Sequence, residues 1–195
     1  MKDATELFDR RPILIVLAGP NGAGKTTFYE ANLARLHLHF INADVIAKEL
    51  KIDAYSAAKL AASLREELLR QRESFIFETV FSDPAGDKVA FFREAAELGF
   101  TVVLLFIGIS GPETSERRVA QRIYEGGHDV PSDKLVTRFP RTLANLRRAI
   151  RELPFVLVFD NDDLNDPYRR IATFEQGKAT ALTSDLPGWL RDMLP

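Results

Sequence analysis

The amino-acid sequence predicts an α/β protein: a mostly parallel sheet with helices on both faces. Three observations lead there. From Ile13 to Ile109, short apolar runs alternate with amphipathic segments of helical period, the chain order of a parallel sheet. Two of these runs, Ile13–Ala18 and Thr101–Ile109, are apolar at nearly every position, as strands covered on both faces are. The first run ends at Gly19, which opens G-x-x-x-x-G-K-[ST], a phosphate-cradling pattern that requires a strand before it and a helix after it.

The elements follow in order. Residues 1–11 read as a polar lead-in or fraying helix, and Ile13–Ala18 as the first strand. A helix is expected from Lys25 to about Leu36, then a second strand His37–Ile41 and a helical turn Val45–Leu50. Asp53 can cap a helix running to about Glu73, with Ala57, Ala61, Leu64 and Leu68 on one face. Ser74–Val80 is the third strand. Ser82 or Asp83 is expected to cap the next helix, with Pro84 in its first turn and Gly99 just past its end. Thr101–Ile109 is the fourth strand and Phe155–Phe159 the fifth. Between them lies a helix to about Tyr124, the loop G-G-H-D-V-P, and a helix from about Ser132, in which Pro140 marks a kink or the true start. Pro112–Arg151 holds nine of the chain's 26 basic residues and only five acids, so it reads as a basic helical lid beside the phosphate loop, or as a solvated charged pair. A hairpin turning at Gln176-Gly177 and a short helix with Trp189 and Leu190 against the body complete the chain.

The expected architecture is therefore a three-layer α/β sandwich with the phosphate loop at the carboxyl end of a sheet strand, the arrangement that the resemblance given below identifies as P-loop kinase-like. It has a five-stranded core sheet, a lid at about residues 112–151 and a small C-terminal hairpin. With 195 residues and no linker, residues 1–195 are expected to form one domain. The absence of cysteine excludes disulfides, thiolate metal sites and thiol nucleophiles. A net charge of −2 gives no reason to expect nucleic acid as a partner. No apolar run approaches membrane-span length and the N-terminus has no apolar signal core, so a cytoplasmic protein without membrane contact is expected.

In the phosphate loop, Gly19, Pro20, Asn21, Gly22, Ala23, Gly24, Lys25, Thr26 and Thr27 are the expected ATP contacts. Backbone N–H groups and the positive end of the following helix favour the phosphates. Lys25 brings a cation to the β- and γ-phosphates, and the Thr26 hydroxyl is the expected Mg²⁺ ligand. A phosphate loop alone does not choose between a kinase, a motor and a switch. Asp44, at the end of the second strand, is either the base for an acceptor hydroxyl or a helix cap. Asn42 could reach the acceptor or fix Asp44. Glu78 and its neighbour Thr79, at the end of the third strand, are candidate substrate contacts; Glu78 faces substrate hydroxyls, the Mg²⁺ water shell or a lid arginine, because a buried carboxylate needs such a partner. Arg118 and Arg122 share one helix face and could close over the γ-phosphate. His128 could donate to a phosphate or only stabilise its loop. Arg138 and Arg141 are candidates for gripping a diphosphate on the acceptor. Phe155–Asp160 imitates a second nucleotide-binding motif, but at this late position an edge strand is expected, with Asp160 and Asn161 opening a turn near the base of the nucleotide.

G-P-N-G-A-G-K-T-T, I-N-A-D, F-E-T-V-F-S, R-V-A-Q-R-I-x-x-G-G-H-D-V-P and R-F-P-R-T-L-A-N-L, in this order, resemble the zeta-toxin family, in particular its short single-domain branch. The resemblance runs from about Ile13 to Asn161. It implies a P-loop kinase core that uses ATP to phosphorylate the 3′-hydroxyl of the sugar in UDP-N-acetylglucosamine, restrained by an antitoxin. By position it implies Lys25 and Thr26 for phosphate and Mg²⁺, Asp44 as general base, Glu78 as a substrate-site acid and Arg122 as a lid arginine. His128 stands where larger members carry a second lid arginine. The branch is often labelled an ABC-type ATPase, yet the sequence has no L-S-G-G-Q-like segment. A kinase for another small acceptor, such as a nucleoside or an antibiotic, and a non-catalytic ATP-binding regulator are the alternative readings.

Overall fold

The computed structural model describes residues 4–124 and 130–194. Its centre is a seven-stranded sheet in the order β2-β3-β1-β4-β5-β6-β7. The strands are β1 (Ile13–Ala18), β2 (His39–Ile41), β3 (Phe75–Thr79), β4 (Thr101–Gly108), β5 (Phe155–Asp160), β6 (Arg169–Glu175) and β7 (Lys178–Leu182). The first five are parallel, and β6 and β7 join antiparallel. Strand β1 is buried at every position between β3 and β4, which explains its unbroken apolar run. The hairpin is not a separate appendage. It continues the sheet, so β5 lies between β4 and β6 and is not the expected edge strand.

The helices are α1 (Ala4–Phe8), α2 (Lys25–Phe28), α3 (Ala43–Leu50), α4 (Ala54–Arg70), α5 (Asp87–Glu97), α6 (Pro112–Tyr124), α7 (Ser132–Glu152) and α8 (Gly188–Arg191). Two apolar layers flank the sheet. One holds Leu14, Val16, Phe75, Phe77, Phe92 and Leu146, beneath α4, α5 and α7. The other holds Ile13, Ile15, Leu17, Phe28, Leu33 and Ile107, beneath α1 and the helix after the phosphate loop.

Several elements differ from their sequence-based expectation, each for a local reason. After Phe28 the helix widens into a π-turn, Tyr29–Leu33, and ends in a 3₁₀ turn, Ala34–Leu36. There Asn32 Nδ2 donates to the Phe28 carbonyl at 3.1 Å, a side chain entering the ladder, and Tyr29 stacks on Phe40 at 3.6 Å. Strand β2 starts only at His39 because His37 has left-handed backbone, φ 51°. α3 is a full helix, capped by Asn42 and not by Asp44. α5 begins at Asp87, after Gly86 with φ 77°, so Pro84 precedes the helix instead of lying in its first turn. Asp83 still reaches that end, accepting from the Lys88 N–H at 3.3 Å. Pro140 lies inside α7, which is one continuous helix from Ser132.

Candidate active site

The phosphate loop lies at the carboxyl end of β1, where ligands of parallel sheets bind. Its backbone is one that only glycine serves. Gly19 has φ 147°, and a Cβ there would stand 2.1 Å from the Ile107 carbonyl oxygen of β4. Gly24, at φ 86°, precedes α2, and a Cβ there would meet Asn161 Nδ2 and the Tyr168 hydroxyl at 2.8 Å each. The buried Lys25 ammonium donates to the Gly19 and Pro20 carbonyls at 3.0 Å each, so it spans the mouth of its own loop. Burial pulls its pKa down most strongly. The Glu78 and Asp44 carboxylates act in the opposite direction, and the Arg122 guanidinium lowers it again.

That electrostatic reach brings four predicted residues together from four elements: Lys25 of α2, Glu78 of β3, Asp44 in the first turn of α3 and Arg122 near the end of α6. Glu78 is the hinge of the group. Its carboxylate accepts from the Thr26 hydroxyl at 3.1 and 3.3 Å and from Asn42 Nδ2 at 2.8 Å. Asn42 is buried and committed at both ends, because its Oδ1 also accepts from the Asp44 and Val45 N–H groups. It therefore fixes Asp44 at the start of α3, where that residue is exposed and acts on the Lys25 ammonium. Thr79 is nearly buried, and its hydroxyl accepts from the Phe81 N–H at 3.0 Å, building the turn after β3.

α6 docks on the phosphate loop. Ser115 Oγ donates to the Asn21 carbonyl at 2.7 Å. Arg118 reaches the Gly22 carbonyl at 3.5 Å and the Asp162 carbonyl at 3.0 Å, so its guanidinium joins the loop to the turn after β5. From that turn Asn161 Nδ2 donates to the Ala23 carbonyl at 2.9 Å, and the Tyr168 hydroxyl donates to the Gly24 carbonyl at 2.9 Å. Asp160 points elsewhere: its Oδ1 accepts from Trp189 Nε1 at 3.2 Å, and burial raises its pKa.

Helix α7 is tied to the turn after Glu78. Thr142 Oγ1 donates to the Val80 carbonyl at 2.9 Å, and Asn145 Nδ2 donates to the carbonyls of Phe81 at 3.0 Å and Asp83 at 2.9 Å. Phe81, fully buried, has φ 64°, a left-handed conformation that costs a non-glycine residue about 1–2 kcal/mol. Arg138, half-buried, and Arg141, exposed, lie on α7 at this attachment. His128 lies outside the described residues. Ser115, Tyr168, Thr142 and Asn145 were not singled out by the sequence reasoning. The signal for the last two was present, since both lie in R-F-P-R-T-L-A-N-L.

Among the described residues no group of three or more His, Asp or Glu side chains could hold a metal. Mg²⁺ needs no such cage when phosphates and waters complete its shell. The Thr26 hydroxyl and the Glu78 carboxylate, already in contact, form a hard-oxygen pair that fits this ion.

The glycine loop, its lysine and threonine, and the parallel sheet with β1 between β3 and β4 define a P-loop nucleotide-binding protein of kinase-like α/β fold. The family model described as AAA domain matches residues 14–149, and the chain belongs to that family. A protein of Haemophilus influenzae described as uncharacterized is 28% identical over 130 residues, covering 64% of this chain and 91% of that one. Among solved structures, AvrRxo1-ORF1:-ORF2 with ATP superposes with a TM-score of 0.69 at 19% identity, covering 90% of this chain and 62% of that chain. The PezAT chromosomal toxin–antitoxin system of Streptococcus pneumoniae superposes with a TM-score of 0.62 at 17% identity, covering 84% and 72%. At these identities the structural likeness is one of fold. No helix among the described residues is long and apolar enough to cross a membrane.

Proposed function

We propose that this protein is an ATP-dependent kinase acting on a hydroxyl of a sugar nucleotide, with UDP-N-acetylglucosamine as the first acceptor to test. One observation carries the reading: two carboxylates, Asp44 in the first turn of α3 and Glu78 near the end of β3, both act on the Lys25 ammonium and are tied to one another through Asn42. A pure nucleotide binder needs no base there. The zeta-toxin-like motifs supply the acceptor class, and the P-loop fold supplies the phosphoryl donor.

In this mechanism the loop amides and Lys25 hold the β- and γ-phosphates. Thr26 and Glu78 would hold Mg²⁺, which when bound neutralises charge on the β- and γ-oxygens. Asp44 accepts the proton of the acceptor hydroxyl as its oxygen attacks the γ-phosphorus in line with the departing ADP oxygen. Arg122 stabilises charge on the transferring group. Arg138 and Arg141 bind the diphosphate of the acceptor. A small antitoxin is the proposed protein partner, in keeping with the toxin–antitoxin system to which the fold is similar.

The test is ATP consumption with a panel of sugar nucleotides, nucleosides and aminoglycosides, with the phosphorylated position read by mass spectrometry. Asp44→Asn is expected to lower kcat by about 10²–10⁴-fold while leaving ATP affinity within a few-fold. Equal turnover in that variant removes the mechanism. Tight ATP binding with no acceptor consumed assigns the protein to the regulatory reading instead.

A further inference from the structure

R-F-P-R-T-L-A-N-L is the motif that the proposed chemistry leaves half used: its arginines have work, its Thr142 and Asn145 do not. Both are buried polar side chains on a helix whose other inward residues are mostly apolar. A helix core position gains nothing from a hydroxyl or an amide unless its partner is specific. Here the partners are three carbonyls of one turn, Val80, Phe81 and Asp83; the Thr142 hydroxyl lies nearer to Val80, at 2.9 Å, than to the Arg138 carbonyl of its own helix, at 3.1 Å. The same turn is closed from the strand side by Thr79, whose hydroxyl receives the Phe81 N–H. It contains a buried phenylalanine in left-handed backbone, a geometry that persists only where surrounding contacts over-determine it. Immediately before it lies Glu78, bonded to Thr26 and Asn42.

We propose that Thr142 and Asn145 are positioning residues: they lock the strained Thr79–Asp83 turn and through it set the Glu78 carboxylate against Thr26 and Asn42. α7 thereby fixes the metal-facing side of the crevice with the same helix that carries Arg138 and Arg141. The chain is continuous in contacts. Thr142 and Asn145 hold the turn, the turn ends β3, and Glu78 on β3 meets Asn42, which caps α3 and places Asp44. The inference rests on the kinase reading only for its consequence in ATP binding. The placement of Glu78 is a property of the unliganded protein.

Two measurements on the full chain test it. The first is the side-chain amide resonance of Asn42 by ¹⁵N NMR in the ligand-free protein, where Nδ2 donates to Glu78. Thr142→Val, which removes the donor at nearly constant volume, and Asn145→Ala are expected to shift this signal and raise its exchange with water at least tenfold. Thr142→Ser, which keeps the hydroxyl, is expected to restore it. A purely structural role for α7 leaves the Asn42 signal unmoved. The second measurement is ATP affinity with and without Mg²⁺. The Mg²⁺-dependent gain is expected to fall about tenfold in Thr142→Val and to recover in Thr142→Ser, with metal-free affinity unchanged. A folded Thr142→Val with the native Asn42 signal and the full Mg²⁺ gain overturns the proposal. A native chain whose ATP affinity ignores Mg²⁺ overturns the kinase reading instead, and the NMR arm still decides this one.

Discussion

Asp160 is the residue whose titration the structure makes most testable. Burial raises its pKa, the Trp189 N–H opposes that, and the nearby Asp162 charge adds to it. An acid with a raised folded pKa destabilises the fold when ionised, fully above the folded pKa, and the penalty disappears as pH falls through the unfolded value. Asp160→Asn, whose side-chain carbonyl can still accept from Trp189, is therefore expected to raise the melting temperature at about pH 8 and to leave it unchanged at about pH 3. Thermal melts at both pH values check this. The same residue shows what a sequence can and cannot tell. F-V-L-V-F-D imitates a second nucleotide-binding motif in letters, yet Asp160 is turned to Trp189 and the neighbouring Asn161 turns to the phosphate loop. Gly19, Lys25 and Thr26 were legible because phosphate chemistry prescribes them at fixed spacing. The double commitment of Asn42, to Glu78 and to its own helix, was not, because it joins residues 36 positions apart.

Helices and strands were legible where local periodicity decides them, and misjudged where a long-range contact does. β1 and β4 were read with nearly correct ends from their apolar runs. The start of α5 was misplaced because Pro84 looks like a first-turn proline, whereas Gly86 with its left-handed backbone opens the helix four residues before Ala90, which donates back to it at 3.2 Å. Pro140 is the element-level test. A proline within a helix removes one backbone bond and costs up to about 3 kcal/mol relative to alanine. Pro140→Ala is expected to stabilise the protein by about 1–3 kcal/mol, seen as a higher denaturant midpoint. The phosphate loop gives the opposite result. Gly19→Ala drives a Cβ into the Ile107 carbonyl of a buried strand, so it is expected to cost about 3 kcal/mol and to abolish ATP binding by calorimetry.

Across the molecule, β5 joins two kinds of sheet, parallel towards β4 and antiparallel towards β6. The sequence announced the hairpin by its Gln176-Gly177 turn but not its place, since strand order is set by packing that no local signal encodes. This placement is what brings Tyr168, at the entry to β6, onto the Gly24 carbonyl. Trp189→Ala, which empties the space over Phe106 and Gly108, is expected to destabilise the protein by about 2–4 kcal/mol, read by urea unfolding. That indole is also the chain's single tryptophan, hydrogen-bonded to a carboxylate one residue before the asparagine that braces the phosphate loop. The protein thus carries its own fluorophore at the back of the nucleotide site, and its emission spectrum becomes a label-free gauge of both the Asp160 proton and the filling of the loop.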